Sequence, residues 1–331
     1  MEARESQFPP RAKTHKDQCK HNLPRRRRTQ NPSPRRPRML PWNLRSRRRR
    51  AAADKGMEAG TEAHPAKMRC ARRDWSALPL DILLLIFTNL GAVDVLMSAG
   101  LVCRSWLEAA KVPGLWRSVD MAKDNVEKID DDVLSAVAKV AVDRCKGQLE
   151  VFLGKFFVTD GLLMYIGRRS ASLKSLSLIS CHDVTNKGFT YLINKSPLLE
   201  NLSLELCPRV GGRDVYEATG KACPQIKHFS LHRELFNFNF NYPKRCQETR
   251  GIEEMHELRS LSLIGSTINN GGLEAILDSC PHLETLFLRE CKGIVSDSAL
   301  RAKCARIKAV TFLKLVTEDN GGCLRRVLRR Y

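Results

Sequence analysis

The stretch LKSLSLISCHDVTNKGFTYLINKSP spans residues 173–197. Leu176 and Leu178 alternate with Ser175 and Ser177, so in a β-strand the two leucines share one face and the serines the other. The period then lengthens, and a helix is expected over Lys187–Lys195. A short strand and a short helix cannot bury their apolar faces alone. They need neighbours of the same kind stacked on either side.

Those neighbours are present. Aligned on L-x-x-L-x-L, the chain reads LKSLSL from Leu173, LENLSL from Leu199, IKHFSL from Ile226, LRSLSL from Leu258, LETLFL from Leu283 and IKAVTF from Ile307. The successive spacings are 26, 27, 32, 25 and 24 residues, and a weaker copy, LEVFLG, begins at Leu149. Except for the 32-residue unit, these periods mark a leucine-rich-repeat solenoid, the strand of each unit pairing with the next and a helix covering one side. Leu273–Ser279 is a second expected helix. Three units carry a cysteine at the ninth position, Cys181, Cys207 and Cys291, whereas others place Glu234, Ser266 or Leu315 there. The cysteine is expected as a small buried side chain with a weak S–H donor at the turn.

The residues between the leucines face the other way. They are Ser175 and Ser177, Asn201 and Ser203, His228 and Ser230, Ser260 and Ser262, Thr285 and Phe287, with Glu205, His232 and Arg289 just beyond. Solenoids present such a face to protein partners. Ser177, Ser203, Glu205, Ser230, His232, Ser262, Phe287 and Arg289 are therefore the candidate target-binding residues. The 32-residue unit adds HRELFNFNFNYPKRCQETRGIEEMHE, where Phe236, Phe238, Phe240 and Tyr242 alternate with asparagines. This row ends at Pro243, as an edge strand would. It grips a target, through Phe238 and Tyr242, or folds back on the solenoid.

Upstream, LPLDILLLIFTNLGAVDVLMSAGLVCRSWLEAA occupies residues 78–110. Its longest apolar block, Ile82–Phe87, is far short of the ~20 residues a bilayer span needs. Leu83, Ile86, Phe87 and Leu90 fall on one helical face. Pro79 suits a first turn and Gly91 a C-terminal cap. Two further helices are expected over Val93–Ala99 and Leu101–Ala110, the last with Val102, Trp106 and Ala109/Ala110 on one side and ended by Pro113-Gly114. Ile82, Leu84 and Leu85 spill off the inward face, which leaves apolar groups on both sides of the module. Either the following domain or a second protein covers them.

The run Leu78-Pro79-x-Asp81-x-Leu83-x-x-Ile86-Phe87-x-x-Leu90, with Val102-Cys103-Arg104-x-Trp106 and Leu115-Trp116, resembles an F-box. From about Asp74 to Leu315 the chain is similar to the plant F-box/leucine-rich-repeat proteins of the Skp-interacting kind. The resemblance implies docking on the Skp adaptor of SCF (Skp–cullin–F-box) ubiquitin ligases and, through it, a cullin scaffold. Carried over residue by residue, the adaptor contacts are Leu78, Pro79, Ile82, Leu83, Ile86, Val102, Cys103 and Trp106. The implied role is a substrate-recognition subunit, whose solenoid holds a target protein for ubiquitination. The alternatives are a repeat scaffold outside any ligase and a nucleic-acid-binding protein acting through its basic head.

Charge is concentrated at the front. Residues 1–73 hold 22 Lys+Arg against 6 Asp+Glu and 8 of the 15 prolines. Like charge without apolar periodicity resists collapse, so a disordered head is expected there. Its arginine runs, Arg25–Arg28 and Arg45–Arg50, are a nuclear import signal, a non-specific grip on nucleic-acid phosphates, or a plain solvated tail. Met57 is an alternative start that would place the preceding residues outside the native protein. No apolar signal-peptide core opens the sequence. The twelve cysteines form no C-x-x-C pair, which argues for reduced thiols rather than zinc, and an intracellular protein, nuclear or cytoplasmic, is expected.

No phosphate loop, nucleophile elbow or zinc helix occurs, so neither catalysis nor a cofactor is expected. The expected organisation is a head over 1–73, the F-box over 74–120, a connecting helical segment over 121–148, repeats over 149–318 and a tail over 319–331. The fold class is a three-helix F-box followed by an α/β solenoid, a leucine-rich-repeat horseshoe.

Overall fold

The computed structural model describes residues 74–122, 126, 128–233, 248–291, 293–295, 297–316 and 327–330. The chain divides into two units, 1–69 and 70–331, and the second is described here. The expectations for the head and for the aromatic row at Phe236–Tyr242, Phe238 and Tyr242 included, lie outside the described residues.

Three helices open the unit: α1 (Leu80–Leu90), α2 (Ala92–Met97) and α3 (Arg104–Ala109). Gly91, at φ 88°, ends α1 and starts α2, a left-handed position that glycine fills without strain. The two helical segments Leu80–Leu90 and Ala92–Leu101 meet there at 120°, and no single described helix is long and apolar enough to cross a membrane. Leu83 and Phe87, one turn apart, are 1% exposed. Phe87 meets Trp106 of α3 edge to face at 5.6 Å. Trp106 Nε1 donates to the Trp75 carbonyl and Ser105 Oγ to the Ser76 carbonyl, tying α3 to the chain entry. Val102 does not lie on α3, as the sequence suggests. Cys103 occupies the N-cap, leaving Val102 exposed before the helix.

Then comes the sheet. Its strands are β1 (Ser118–Met121), β2 (Val151–Lys155), β3 (Ser175–Ile179), β4 (Asn201–Glu205), β5 (His228–His232), β6 (Ser260–Ile264), β7 (Thr285–Arg289), β8 (Ala309–Val316) and β9 (Val327–Arg330). They lie side by side in chain order, parallel from β1 to β8, with β9 antiparallel on β8. Between them run α4 (Asp131–Arg144), α5 (Asp160–Arg169), α6 (Asn186–Ile193), α7 (Arg213–Ala222), α8 (Glu248–Ile252), α9 (Asn270–Ser279) and α10 (Ser298–Cys304). This is an F-box module followed by a leucine-rich-repeat solenoid.

Register follows from the motif. Leu176, Leu202, Phe229, Leu261, Leu286 and Val310 stand in one row, and Leu178, Leu204, Leu231, Leu263, Leu288 and Phe312 in the next. A one-residue slip would put every one of these on the other face, so the apolar pattern locks the pairing. The rows join the module's Leu83 and Phe87 in one continuous buried core.

Three expectations are corrected. The sheet begins before residue 149, because β1 pairs with β2 through Val119↔Phe152 and Met121↔Gly154. Trp116, Val119 and Met121 stand where later units carry their leucines, and all three are buried. The end of the span expected as F-box is therefore a strand, and with helix α4 of the connecting segment it makes a first repeat that lacks leucines at the motif positions. At the far end the supposed tail contributes β9. Leu315 is no turn residue, since β8 continues through it.

Two local devices recur. After the strand the chain turns through a left-handed residue: Phe156, Ser180, Leu206, Gly265 and Glu290 have φ between 51° and 68°. The N–H of each donates to a strand carbonyl of the next unit, for example Ser180 to Glu205 O at 2.7 Å, so the ladder runs one bond further. The second device sits at helix starts. Asp160 accepts from Thr185 N and Oγ1 at 2.7 and 2.6 Å. Asn186 exchanges two hydrogen bonds with Gly211, and Asn270 two with Val295. Each clamp satisfies backbone groups of the following loop and couples one repeat to the next.

Candidate functional site

The F-box module leaves much apolar surface uncovered. Eight of the thirteen large apolar side chains exposed among the described residues lie between Trp75 and Val102. They include Trp75 at 58%, Leu80 at 52%, Ile82 at 41%, Leu85 at 64%, Leu101 at 70% and Val102 at 62%. Helical spacing explains α1: Ile82 and Leu85, three apart, face away from Leu83 and Phe87. Each such side chain would gain ~1.5–3 kcal/mol from full burial, so a module with this many is built to be covered.

The structure sorts the eight sequence candidates. Ile82 and Val102 are exposed apolar groups; Pro79 is exposed at the α1 N-cap; Leu78 and Ile86 are half-buried. Leu83 is a correction, because it is buried in the module's own core and has no surface to offer. Trp106 is half-buried, with its N–H already engaged. Cys103 lies between exposed and buried, its Sγ 3.1 Å from Ser105 Oγ. Hydrogen bonds from the Ser105 hydroxyl and then the Trp106 backbone N–H hold its thiol below the usual range. Trp75, Leu80 and Leu101 escaped the sequence reading because none sits on the expected periodic stripe.

The second surface is the strand face opposite the leucines. Ser177, Ser203, Ser230 and Ser262 stand in one row, with Phe287 next in register. Together with Ser175, Asn201, His228 and Ser260 they line an open groove across β3–β6. No hydrogen bond within the described residues engages the hydroxyls of the four-serine row. At one end of the strands Glu205 and His232 pair at 3.2 Å. Arg289 stands beside Ile264 and Leu313, and its buried Nε has no hydrogen-bond partner among the described residues. The structure thus brings eight of the ten target-face candidates onto one sheet face.

At the other end lies a row the sequence reading missed. Glu150, Lys174, Glu200, Lys227, Arg259, Glu284 and Lys308 each follow the first apolar position of a unit. Stacking makes them neighbours: Lys174–Glu150 at 3.5 Å, Lys227–Glu200 at 2.9 Å, Arg259–Glu284 at 3.6 Å and Lys308–Glu284 at 2.9 Å. The Lys227 hydrogen bond, chiefly, holds the Glu200 carboxyl below its ordinary value, and Lys308 does the same for Glu284. Aligned units, compared at their second position, would have revealed the row.

The ninth-position cysteines point inward. Cys181 Sγ lies 3.4 Å from Ile179 O, Cys207 Sγ 3.3 Å from Glu205 O, and Cys291 Sγ 3.5 Å from Leu263 O. Burial pushes the thiols of Cys223 and Cys280 up to about 12, which keeps them protonated and unreactive. The eight described cysteines are free thiols. Among the described residues no group of three or more His, Cys, Asp or Glu side chains is placed to hold a metal ion.

Comparison with known proteins agrees with this architecture. Residues 75–122 match the F-box-like family. The Arabidopsis thaliana F-box protein SKIP19 is 35% identical over 249 residues, covering 74% of this chain and 79% of that protein. Putative F-box/LRR-repeat protein 9 of the same plant is 30% identical, covering 67% of this chain and 89% of that protein. Putative F-box/LRR-repeat protein 23, also from Arabidopsis thaliana, is 37% identical over 71% of this chain, which spans about half (52%) of that relative's length. With a repeat solenoid fused to a three-helix module and relatives of this kind along most of its length, the chain belongs to the F-box/LRR-repeat proteins.

Proposed function

We propose that the protein is the substrate-recognition subunit of an SCF-type ubiquitin ligase and makes no bonds itself. Its F-box module docks on a Skp-type adaptor, and the sheet face of the solenoid holds a target protein. Tethering raises the target's local concentration near a ubiquitin-charged enzyme elsewhere on the scaffold, by the logic of any linked pair of binding events. Such a receptor works inside the cell, in nucleus or cytoplasm.

The observation that carries the reading is the exposure of Ile82 and Leu85 on the side of α1 turned away from buried Leu83 and Phe87. The two sides of α1 provide the test. Leu85→Ala combined with Leu101→Ala should leave the melting temperature nearly unchanged and abolish co-purification with a purified Skp-type adaptor. Leu83→Ala should instead lower stability by about 2–5 kcal/mol, as emptied core sites do. Failure of the unaltered chain to bind the adaptor would overturn the proposal in favour of a repeat scaffold outside any ligase, and full adaptor binding by the Leu85/Leu101 double variant would overturn the assignment of docking to this side of α1.

A further inference from the structure

We infer that the groove across β3–β6 takes its target segment by an anionic side chain, seated at the lip formed by Lys227, His228, Arg259 and Ser260. The inference rests on the receptor reading above and supplies the chemistry of the segment received.

The charged row along the strand entries carries the argument. From Glu150 to Lys308 its signs run minus, plus, minus, plus, plus, minus, plus. A strictly alternating row neutralises itself, since each cation finds a carboxylate one strand away, about 4.8 Å off. The alternation fails at one step, Lys227 to Arg259. Lys227 turns to Glu200 on one side and Arg259 to Glu284 on the other, and Glu284 also takes Lys308. No carboxylate of the row stands between the two cations.

The same step borders the groove. His228 and Ser260 follow these cations, pair directly across β5 and β6, and line the hollow. The His228 side chain is exposed and makes no hydrogen bond within the described residues. Glu200 is the nearby acid, and Lys227, Lys174 and His228 all act on it. The groove lining contains no carboxylate. An incoming anion therefore meets a guanidinium, an ammonium, an imidazole and a hydroxyl, without an acid to repel it that is not already held.

The floor suits the rest of the segment. The row Ser177, Ser203, Ser230, Ser262 crosses three strand spacings, about 14 Å, which is the length of roughly four residues of extended chain. Each free hydroxyl both donates and accepts, matching the N–H and C=O of a main chain laid across it. Leu153 and Phe287 flank the row in register and close its ends with bulk. The anion is an Asp or Glu carboxylate or a phosphoserine or phosphothreonine, both of which a guanidinium accepts by paired hydrogen bonds.

The test uses the full chain and immobilised peptides of one Gly/Ser scaffold whose central residue is Glu, phosphoserine, Gln or Lys. At least tenfold tighter binding to Glu or phosphoserine than to Gln is expected. That preference should weaken with salt. It should collapse in Lys227→Ala/Arg259→Ala and persist in Lys308→Ala, a cation of the same row outside the groove. Ser230→Trp, which fills the floor, should remove binding altogether. Preference for both anionic peptides would show that a carboxylate suffices, and preference for phosphoserine alone that a phosphate is required. Equal behaviour of the Glu, phosphoserine and Gln peptides, including no binding by any, overturns the inference. So does a preference that survives the double variant. Adaptor co-purification from the same samples separates these outcomes from failure of the receptor reading.

Discussion

Gly188 shows how much one missing methyl decides. It sits in the first turn of α6, where an added Cβ would lie 2.7 Å from the Asp160 Cα and run into the Asp160 carboxylate. That carboxylate holds Thr185 through two hydrogen bonds, each to a charged acceptor. Alanine is the better helix former by ~1 kcal/mol. Losing hydrogen bonds to a charged group costs about 1.5–3 kcal/mol, so the clamp outweighs the propensity. Gly188→Ala should therefore destabilise by about 1–2 kcal/mol in urea titration. Gly161, at the matching turn of α5, has nothing nearer than Thr159 Oγ1 at 3.7 Å. Gly161→Ala should stabilise by about 0.4–1 kcal/mol. Equal effects from the two would remove Asp160 from its role. Neither outcome was legible in the sequence, because both glycines look like ordinary helix-start residues. What differs is a carboxylate from the preceding repeat.

At the scale of elements, strands were easier to foresee than helix faces. L-x-x-L-x-L located β3 to β8 because its period of two can bury only one face. It missed β1, where Trp116, Val119 and Met121 fill the leucine positions. On α1 the periodic stripe found Phe87 and Leu83, yet it could not say that Leu83 is sealed while Leu85 is bare, since both are leucines near one another. That distinction belongs to α3, whose Trp106 packs on Phe87 and covers one side of α1. The charged row is also an element-scale device, and its pH dependence has a definite sign. Glu200 and Glu284 are depressed below the ordinary 4.5 by Lys227 and Lys308. Depressed carboxylates contribute stability that is fully present above their unfolded value and is lost as pH falls through the folded one. Melting temperature should thus drop as pH goes from about 5 to 3. The slope should flatten in Glu200→Gln/Glu284→Gln, whose stability at neutral pH is lower to begin with. An unchanged slope would mean that the row contributes nothing.

For the whole molecule, the notable fact is that module and solenoid share one core and one sheet. Leu83 and Phe87 belong to the same buried cluster as the leucine rows of β3 to β7. Arg144 of α4 donates to the Ala110 carbonyl, as does the buried Trp116 indole, and the guanidinium lies 5.5 Å from that ring. All four tryptophans fall within residues 42–116, so fluorescence follows the front of the chain while far-UV circular dichroism follows all of it. The two signals should give coincident urea midpoints, the mark of a single transition. Separated midpoints would show that the module unfolds by itself. The sequence divided these parts at residue 120 because its apolar pattern changes there. Patterning detects a change of period, but a ladder can run straight across one.

That ladder has a geometric consequence. Because β1 hydrogen-bonds to β2, the described residues place no swivel between the three opening helices and the groove. A captured protein would hang at a bearing set by backbone bonds rather than by a leash. Which of its lysines come within range would then be decided by the pitch of the strands, and a glycine spacer inserted after Met121 should scatter the sites that become modified.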